Sequence, residues 1–69
     1  MDRIQVVSST VASIGYDSES QTLEMEFTSG RVYQYKEVPP EVARGLICAS
    51  SKGRYFNGHI KNSYATVEI

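Results

Sequence analysis

Residues 50–54, Ser-Ser-Lys-Gly-Arg, carry the side chains of this sequence that are best suited to hold a ligand. Serine hydroxyls, free backbone amides at a helix start, and the cations Lys52 and Arg54 can together bind an anion such as a phosphate. Helix capping explains the serines equally well, so a structural role stays open. The stretch lacks the glycine–lysine pattern of a nucleotide-binding loop, and phosphoryl transfer is therefore not predicted.

The charge distribution around this stretch favours a nucleic acid as the ligand. Residues 42–64 contain no Asp or Glu, although the whole chain has a net charge of −1. A basic surface with an aromatic neighbour such as Tyr55 suits phosphates and stacked bases. An ordinary basic helical layer over an acidic sheet, with Tyr55 in the core, is the structural alternative. The candidate RNA-binding residues are Arg44, Lys52, Arg54, Tyr55, His59 and Lys61.

No combination of residues that could carry out catalysis is recognisable in the sequence. His59 is the one histidine and Cys48 the one cysteine, so neither has the partners that acid–base, nucleophilic or metal chemistry requires. We predict no enzyme, no metal and no cofactor. A single thiol fits a reducing cytoplasm, and we expect Cys48 to be a small buried residue at a helix edge. Glu24 and Glu26 are expected to be solvated charges on a strand.

A β-hairpin is predicted at the centre of the chain. Residues 23–27 alternate apolar and polar side chains, and residues 32–35 resume this pattern after a turn that contains Gly30. A three-residue loop with left-handed Gly30 would turn Tyr33 and Tyr35 toward the core, whereas a two-residue loop would turn them outward. We favour the first register because it gathers the apolar surface on one face. Its pairs are Phe27 with Arg31, Met25 with Tyr33, and Leu23 with Tyr35.

A preceding strand at residues 11–16 extends this hairpin into a three-stranded meander. Its alternation places Ala12, Ile14 and Tyr16 on the apolar side, and residues 17–20 have the composition of a turn. A four-residue loop would set Ile14 opposite Leu23 and Ala12 opposite Met25. Gly15 suggests a bulge or the close approach of another element.

Two helices are predicted to follow the sheet. Pro40 suits the first turn of a helix, and residues 42–49 carry an apolar stripe at helical spacing. Gly45 is expected to let this helix lie close to the sheet. Ser50 and Ser51 end it and cap a short second helix at residues 52–61. The β-type residues 64–69 then form a last strand, in the same sheet or in that of a partner.

The sequence therefore predicts an α+β fold: a small antiparallel β-sheet of three strands, or more with the C-terminal segment, covered by one or two short helices. Residues 1–69 are predicted to form one domain. Because its core is small, we expect a free energy of unfolding of only a few kcal/mol. Dimerisation is the simplest source of additional stability for such a domain, and exchange of the C-terminal segment would give a homodimer. No stretch is long and apolar enough to cross a membrane.

The whole pattern resembles the KTSC domain, a family named for its place at the C-terminus of some lysyl-tRNA synthetases and also found as a stand-alone bacterial protein. The resemblance implies an RNA-binding module and does not imply ligase activity, because no synthetase domain is present. A protein-interaction or self-association module is the alternative function. The stretches that carry the resemblance are residues 8–9, 14–17, 23–27, Gly30, 33–35, 38–39, 49–53, 55–57, 60–61 and Tyr64.

Overall fold

The computed structural model describes residues 1–69 as one antiparallel sheet with two helices packed on one of its faces. The α+β prediction is confirmed, and the sheet has five strands in chain order: β1 Ile4–Gln5, β2 Val11–Asp17, β3 Thr22–Phe27, β4 Val32–Tyr35 and β5 Thr66–Glu68. The additional strands are β1 before the meander and β5, which pairs with β4 of the same chain. The two helices, α1 Pro40–Cys48 and α2 Lys52–His59, lie between β4 and β5 in the chain.

The central hairpin has the predicted register. Gly30 adopts a φ of +96°, and the amide of Phe27 donates to the carbonyl of Arg31 at 2.9 Å. The same register pairs Tyr33 with Met25 and Tyr35 with Leu23. Tyr35 is therefore buried and Tyr33 half-buried, as expected from the apolar side of the alternation.

The register between β2 and β3 differs from the prediction by two residues. Ile14 pairs with Met25, and the strand continues to Asp17, whose carboxylate accepts a hydrogen bond from the Glu19 amide at 3.1 Å. The turn therefore starts one residue later than its composition suggests. A bulge at Ala12 also shifts the first part of β2, so Val11 is the residue buried in the core.

A cluster of edge-to-face aromatic rings attaches α2 to the sheet. Phe56 is the one buried residue of α2, and its ring centroid lies 5.2 Å from that of Phe27 and 5.5 Å from that of Tyr35. Burial raises the pKa of the Tyr35 phenol to about 12. The cluster is part of a core of ten buried hydrophobic residues: Val11, Ile14, Leu23, Met25, Tyr35, Val38, Ala43, Leu46, Phe56 and Ile60.

Two expectations about the helices are wrong. Cys48 is exposed at the end of α1, because the buried positions of that helix are Ala43 and Leu46. Gly45 provides room for Tyr55 of α2 and not for the sheet, since a Cβ at Gly45 would collide with the Tyr55 hydroxyl. The tight fit therefore lies between the two helices.

The sheet face opposite the helices holds a buried carboxylate, which contradicts the expectation of a solvated Glu24. Glu24 is only 5% exposed; it accepts a hydrogen bond from the Gln34 side chain at 2.9 Å and pairs with Arg3. The hydrogen bond from Gln34, and then Arg3, lower the pKa of Glu24 below its usual range, against the opposing effect of burial. The residues before β1 thus cover this face.

The lowered pKa of Glu24 predicts a loss of stability in acid. Because the folded-state pKa is below the unfolded value, the carboxylate stabilises the fold above about pH 4.3 and loses this contribution as the pH falls through the folded pKa. Urea unfolding at neutral pH and at decreasing acidic pH should show that Glu24→Gln loses less stability than the parent protein. An identical fall in both proteins would contradict this role.

Gly15 is required for the close approach of the residues before β1. A Cβ at Gly15 would lie 2.6 Å from the backbone carbonyl oxygen of Asp2. We expect Gly15→Ala to lower the free energy of unfolding by about 1–3 kcal/mol, because the clash involves backbone that cannot rotate away. The control is Gly58→Ala in α2, where nothing lies within 4 Å and helix propensity should add roughly 0.5–1 kcal/mol. Equal stabilities in urea unfolding would refute the prediction.

Candidate functional site

A polar cleft of about 470 Å³ lies between the segment that joins β1 to β2 and the start of α2. Its lining includes one hydrophobic residue and no carboxylate, and it includes both cations of the 50–54 stretch. The cleft therefore offers hydroxyls, an amide and positive charge to a ligand. The lining residues are Val7, Ser8, Ser9, Thr10, Ser50, Ser51, Lys52, Gly53, Arg54 and Asn57.

One wall of the cleft is a turn closed by a serine side chain. Ser8 Oγ accepts hydrogen bonds from the amides of Thr10 and Val11, both at 3.2 Å. The carbonyl of Thr10 in turn accepts from the amide of Thr28 at 3.0 Å, which ties this wall to the hairpin turn. The wall is thus held by hydrogen bonds in an otherwise irregular segment.

The other wall is the first turn of α2. Ser51 caps the helix as predicted, because its side chain accepts from the amide of Arg54 at 3.4 Å. Gly53 lets the two walls approach, since a Cβ there would lie 3.1 Å from Thr10 Oγ1. The sequence therefore positions Lys52 and Arg54 by a capped helix start next to a fixed turn.

The two cations of the cleft have no acidic partner. Both ion pairs of the structure belong to Arg3, which lies on the opposite face of the sheet. Lys52 Nζ donates to the carbonyl of Ala49 at 2.9 Å, whereas the exposed Arg54 side chain has no hydrogen-bond partner. Their charge is consequently available to an external anion.

The remaining candidate residues are distributed over three places. Tyr55 borders a groove that shares Ser50, Ser51 and Arg54 with the cleft. The exposed His59 packs on Tyr55, with ring centroids 4.4 Å apart and planes tilted by 35°. Arg44 lines a separate, more apolar groove with Tyr16 and Ile47, and the exposed Lys61 lines none of these grooves. The structure thus brings together four of the six candidates on α2.

The sequence predicts a ligand-binding role for residues 50–54 of the cleft lining but not for the other five lining residues. Residues 8–10 and Asn57 were not selected, because uncharged polar side chains carry little information about ligands by type alone. A signal did exist, since residues 8–9, 49–53 and 55–57 are among the stretches that resemble the KTSC domain. Residues 8–9 are distant from the other two stretches in sequence, and the structure brings residues of all three stretches to the cleft.

The structure contains no cluster of three or more His, Cys, Asp or Glu side chains that could hold a metal ion. Neither helix has the length and apolar character needed to cross a bilayer.

Comparisons with known proteins place this architecture in a family. The family model described as the KTSC domain matches residues 7–64, which include every residue of the cleft. This chain belongs to the KTSC domain family. The crystal structure of a KTSC domain protein from Yersinia pestis has a TM-score of 0.96 and 40% sequence identity, covering 99% of this chain and 96% of that chain.

Two kinds of relatives share this KTSC domain. An uncharacterized protein of Stutzerimonas stutzeri (strain A1501) is 53% identical over 57 residues, which cover 83% of this chain and 80% of that protein. A lysine–tRNA ligase of Nostoc punctiforme is 45% identical over 56 residues, which cover 81% of this chain. The matched region is 10% of the ligase, so the similarity concerns a small part of that enzyme.

Proposed function

We propose that this KTSC domain is a non-catalytic module that binds RNA, with transfer RNA as the first candidate. The observation that carries the proposal is the carboxylate-free cleft in which Lys52 and Arg54 have no acidic partner. Phosphate contacts from such cations supply most of the affinity of proteins for nucleic acids.

The distribution of charge between the two faces of the sheet supports this proposal. Glu24 and Glu26 alternate with the buried Met25, so they project away from the face that carries the helices. Both are also engaged, Glu24 by Gln34 and Arg3, and Glu26 by the Ser13 hydroxyl at 2.9 Å. Arg3 pairs with both carboxylates, and they project from the other face of the sheet, so their repulsion of a phosphate backbone at the cleft is reduced.

The stacked pair on α2 offers a second type of contact. His59 is exposed and rests on Tyr55, which is itself packed against Gly45. An unstacked base could extend this pair on the outer side of the imidazole ring. The pair adjoins the cleft through the groove that Tyr55 shares with Arg54.

The ligase relatives provide the reason to consider transfer RNA. A segment similar to this chain occurs within lysine–tRNA ligases, whose name states that they act on tRNA. A module that binds RNA could serve such an enzyme and also act on its own.

A titration of labelled tRNA at low and high salt tests the proposal. We expect saturable binding at low salt that weakens steeply as salt rises, because phosphate contacts release counterions. A neutral dextran of similar size serves as the control probe. Absence of tRNA binding at low salt would refute the proposed function.

Self-association is the second candidate function, and the geometry of β5 favours it. This strand forms an edge of the sheet; its residues are exposed, with Val67 49% and the following Ile69 61% exposed. An open edge can pair with the same edge of a second copy, through pairing or exchange of the strand. Sedimentation over a range of protein concentrations should then show a dimer, and a monomer at every concentration would contradict this candidate.

A further inference from the structure

We infer that the cleft recognises the ribose–phosphate backbone of RNA and not its bases, so that the domain prefers RNA to DNA with little dependence on sequence. This inference rests on the proposed function and specifies what its principal site binds.

The residue types that line the cleft favour recognition of the sugar over recognition of the base. Proteins bind unstacked bases with aromatic or apolar platforms, whereas the cleft has no aromatic residue and Val7 as its one apolar residue. Six of its side chains carry a hydroxyl or an amide, the groups that pair with a ribose hydroxyl. These residues are Ser8, Ser9, Thr10, Ser50, Ser51 and Asn57.

Some of these hydroxyls are already oriented by the protein. Ser8 Oγ accepts two backbone amides and Ser51 Oγ accepts the amide of Arg54, so the hydroxyl hydrogen of each serine remains available to donate. The amide of Asn57 can both donate and accept. A ribose 2′-hydroxyl has the same dual capacity, and DNA lacks this group.

The volume and charge of the cleft agree with a sugar and its flanking phosphates. About 470 Å³ lies within the range of roughly 300–1,000 Å³ that is typical of ligand pockets. Lys52 and Arg54 are positioned at the α2 side for the phosphates, while residues 8–10 form the opposite wall. The aromatic pair Tyr55–His59 lies outside the cleft, where it can stack on any base without reading its edges.

The test compares short single-stranded RNA and DNA of matched sequence, and a second RNA of unrelated sequence, by fluorescence anisotropy at low salt. We expect RNA to bind about fivefold more tightly than DNA, as one additional hydrogen bond predicts. The two RNA sequences should bind about equally well, because backbone contacts carry no sequence information.

Paired variants assign the preference to the cleft. Ser8 and Ser51 hold the turn and the helix cap, so the double variant Ser9→Ala with Asn57→Ala instead removes two polar groups of the cleft whose side chains make no hydrogen bond within the protein. We expect this variant to lower the RNA-to-DNA affinity ratio. The matched control, Asn62→Ala with Ser63→Ala, changes the same residue types at exposed positions outside the cleft and should keep the ratio. Circular dichroism verifies that each variant is folded.

The outcomes distinguish this inference from the proposed function. Equal affinity for RNA and DNA, a strong dependence on base sequence, or an unchanged ratio in the cleft variant would overturn the backbone inference and leave RNA binding in place. Absence of binding to every RNA would overturn the proposed function itself.

Discussion

Replacing Lys52 and Arg54 together by glutamine should weaken RNA binding by about a hundredfold at low salt. A hydrogen bond to a charged group contributes about 1.5–3 kcal/mol, and two such contacts at the lower value amount to about 3 kcal/mol. Both side chains line the same cleft and neither has an acidic partner in the free protein. Their whole charge is therefore available to the phosphates.

The salt dependence provides a second measurement on the same variant. Loss of two phosphate contacts should reduce the slope of log affinity against log salt by about 2. The matched control is Arg44→Gln with Lys61→Gln, which removes one arginine and one lysine charge at the two exposed candidate residues that lie away from the cleft. We expect this control to retain most of the affinity. Equal losses in the two double variants would show that binding depends on overall charge and not on the cleft.

A stability measurement separates binding from folding in this comparison. Lys52 Nζ donates to the carbonyl of Ala49, so its replacement removes one hydrogen bond at the end of α1. Arg54→Gln alone removes no hydrogen bond of the side chain. This single variant should therefore unfold in urea like the parent protein and still bind RNA about tenfold less tightly.

The sequence predicted the structure correctly where the residues that determine it are neighbours in the chain. The position of Gly30 determined the loop length and hence the side of the sheet to which Tyr33 and Tyr35 belong. The position of Ser51 before a short helix predicts its role as a helix cap. Pro40 predicts the start of α1, because proline suits the first turn of a helix. These features depend on backbone conformations that a few residues define.

Predictions from the sequence were wrong or incomplete where the structure depends on contacts between distant parts of the chain. Alternation alone selects Ala12 for the core, but a bulge exchanges it for the larger Val11. Glu24 is buried because Arg3 and Gln34, which come from other segments, surround it. The cleft likewise exists only because α2 packs beside residues 7–10, and that packing depends on the tertiary core.

The site requires that α2 docks on the sheet, and the Phe56 ring is the main contact between this helix and the sheet. Phe56 is the single buried residue of this helix, in edge-to-face contact with Phe27 and Tyr35. Phe56→Ala should cost about 3–5 kcal/mol in the free energy of unfolding. A domain of this size has little more than that in total, so we expect the variant to be largely unfolded at room temperature.

The variant Phe56→Leu allows the effect on RNA binding to be measured in a protein that is still folded. Leucine retains an apolar side chain under α2, and we expect a loss of about 1 kcal/mol with a folded protein that still binds RNA. Urea unfolding followed by circular dichroism measures both variants, and anisotropy measures their affinity. If Phe56→Ala were as stable as the parent, or bound RNA equally well, then α2 would be held by other contacts. Because Lys52 and Arg54 are on this helix, their position opposite residues 8–10 would then need a different explanation.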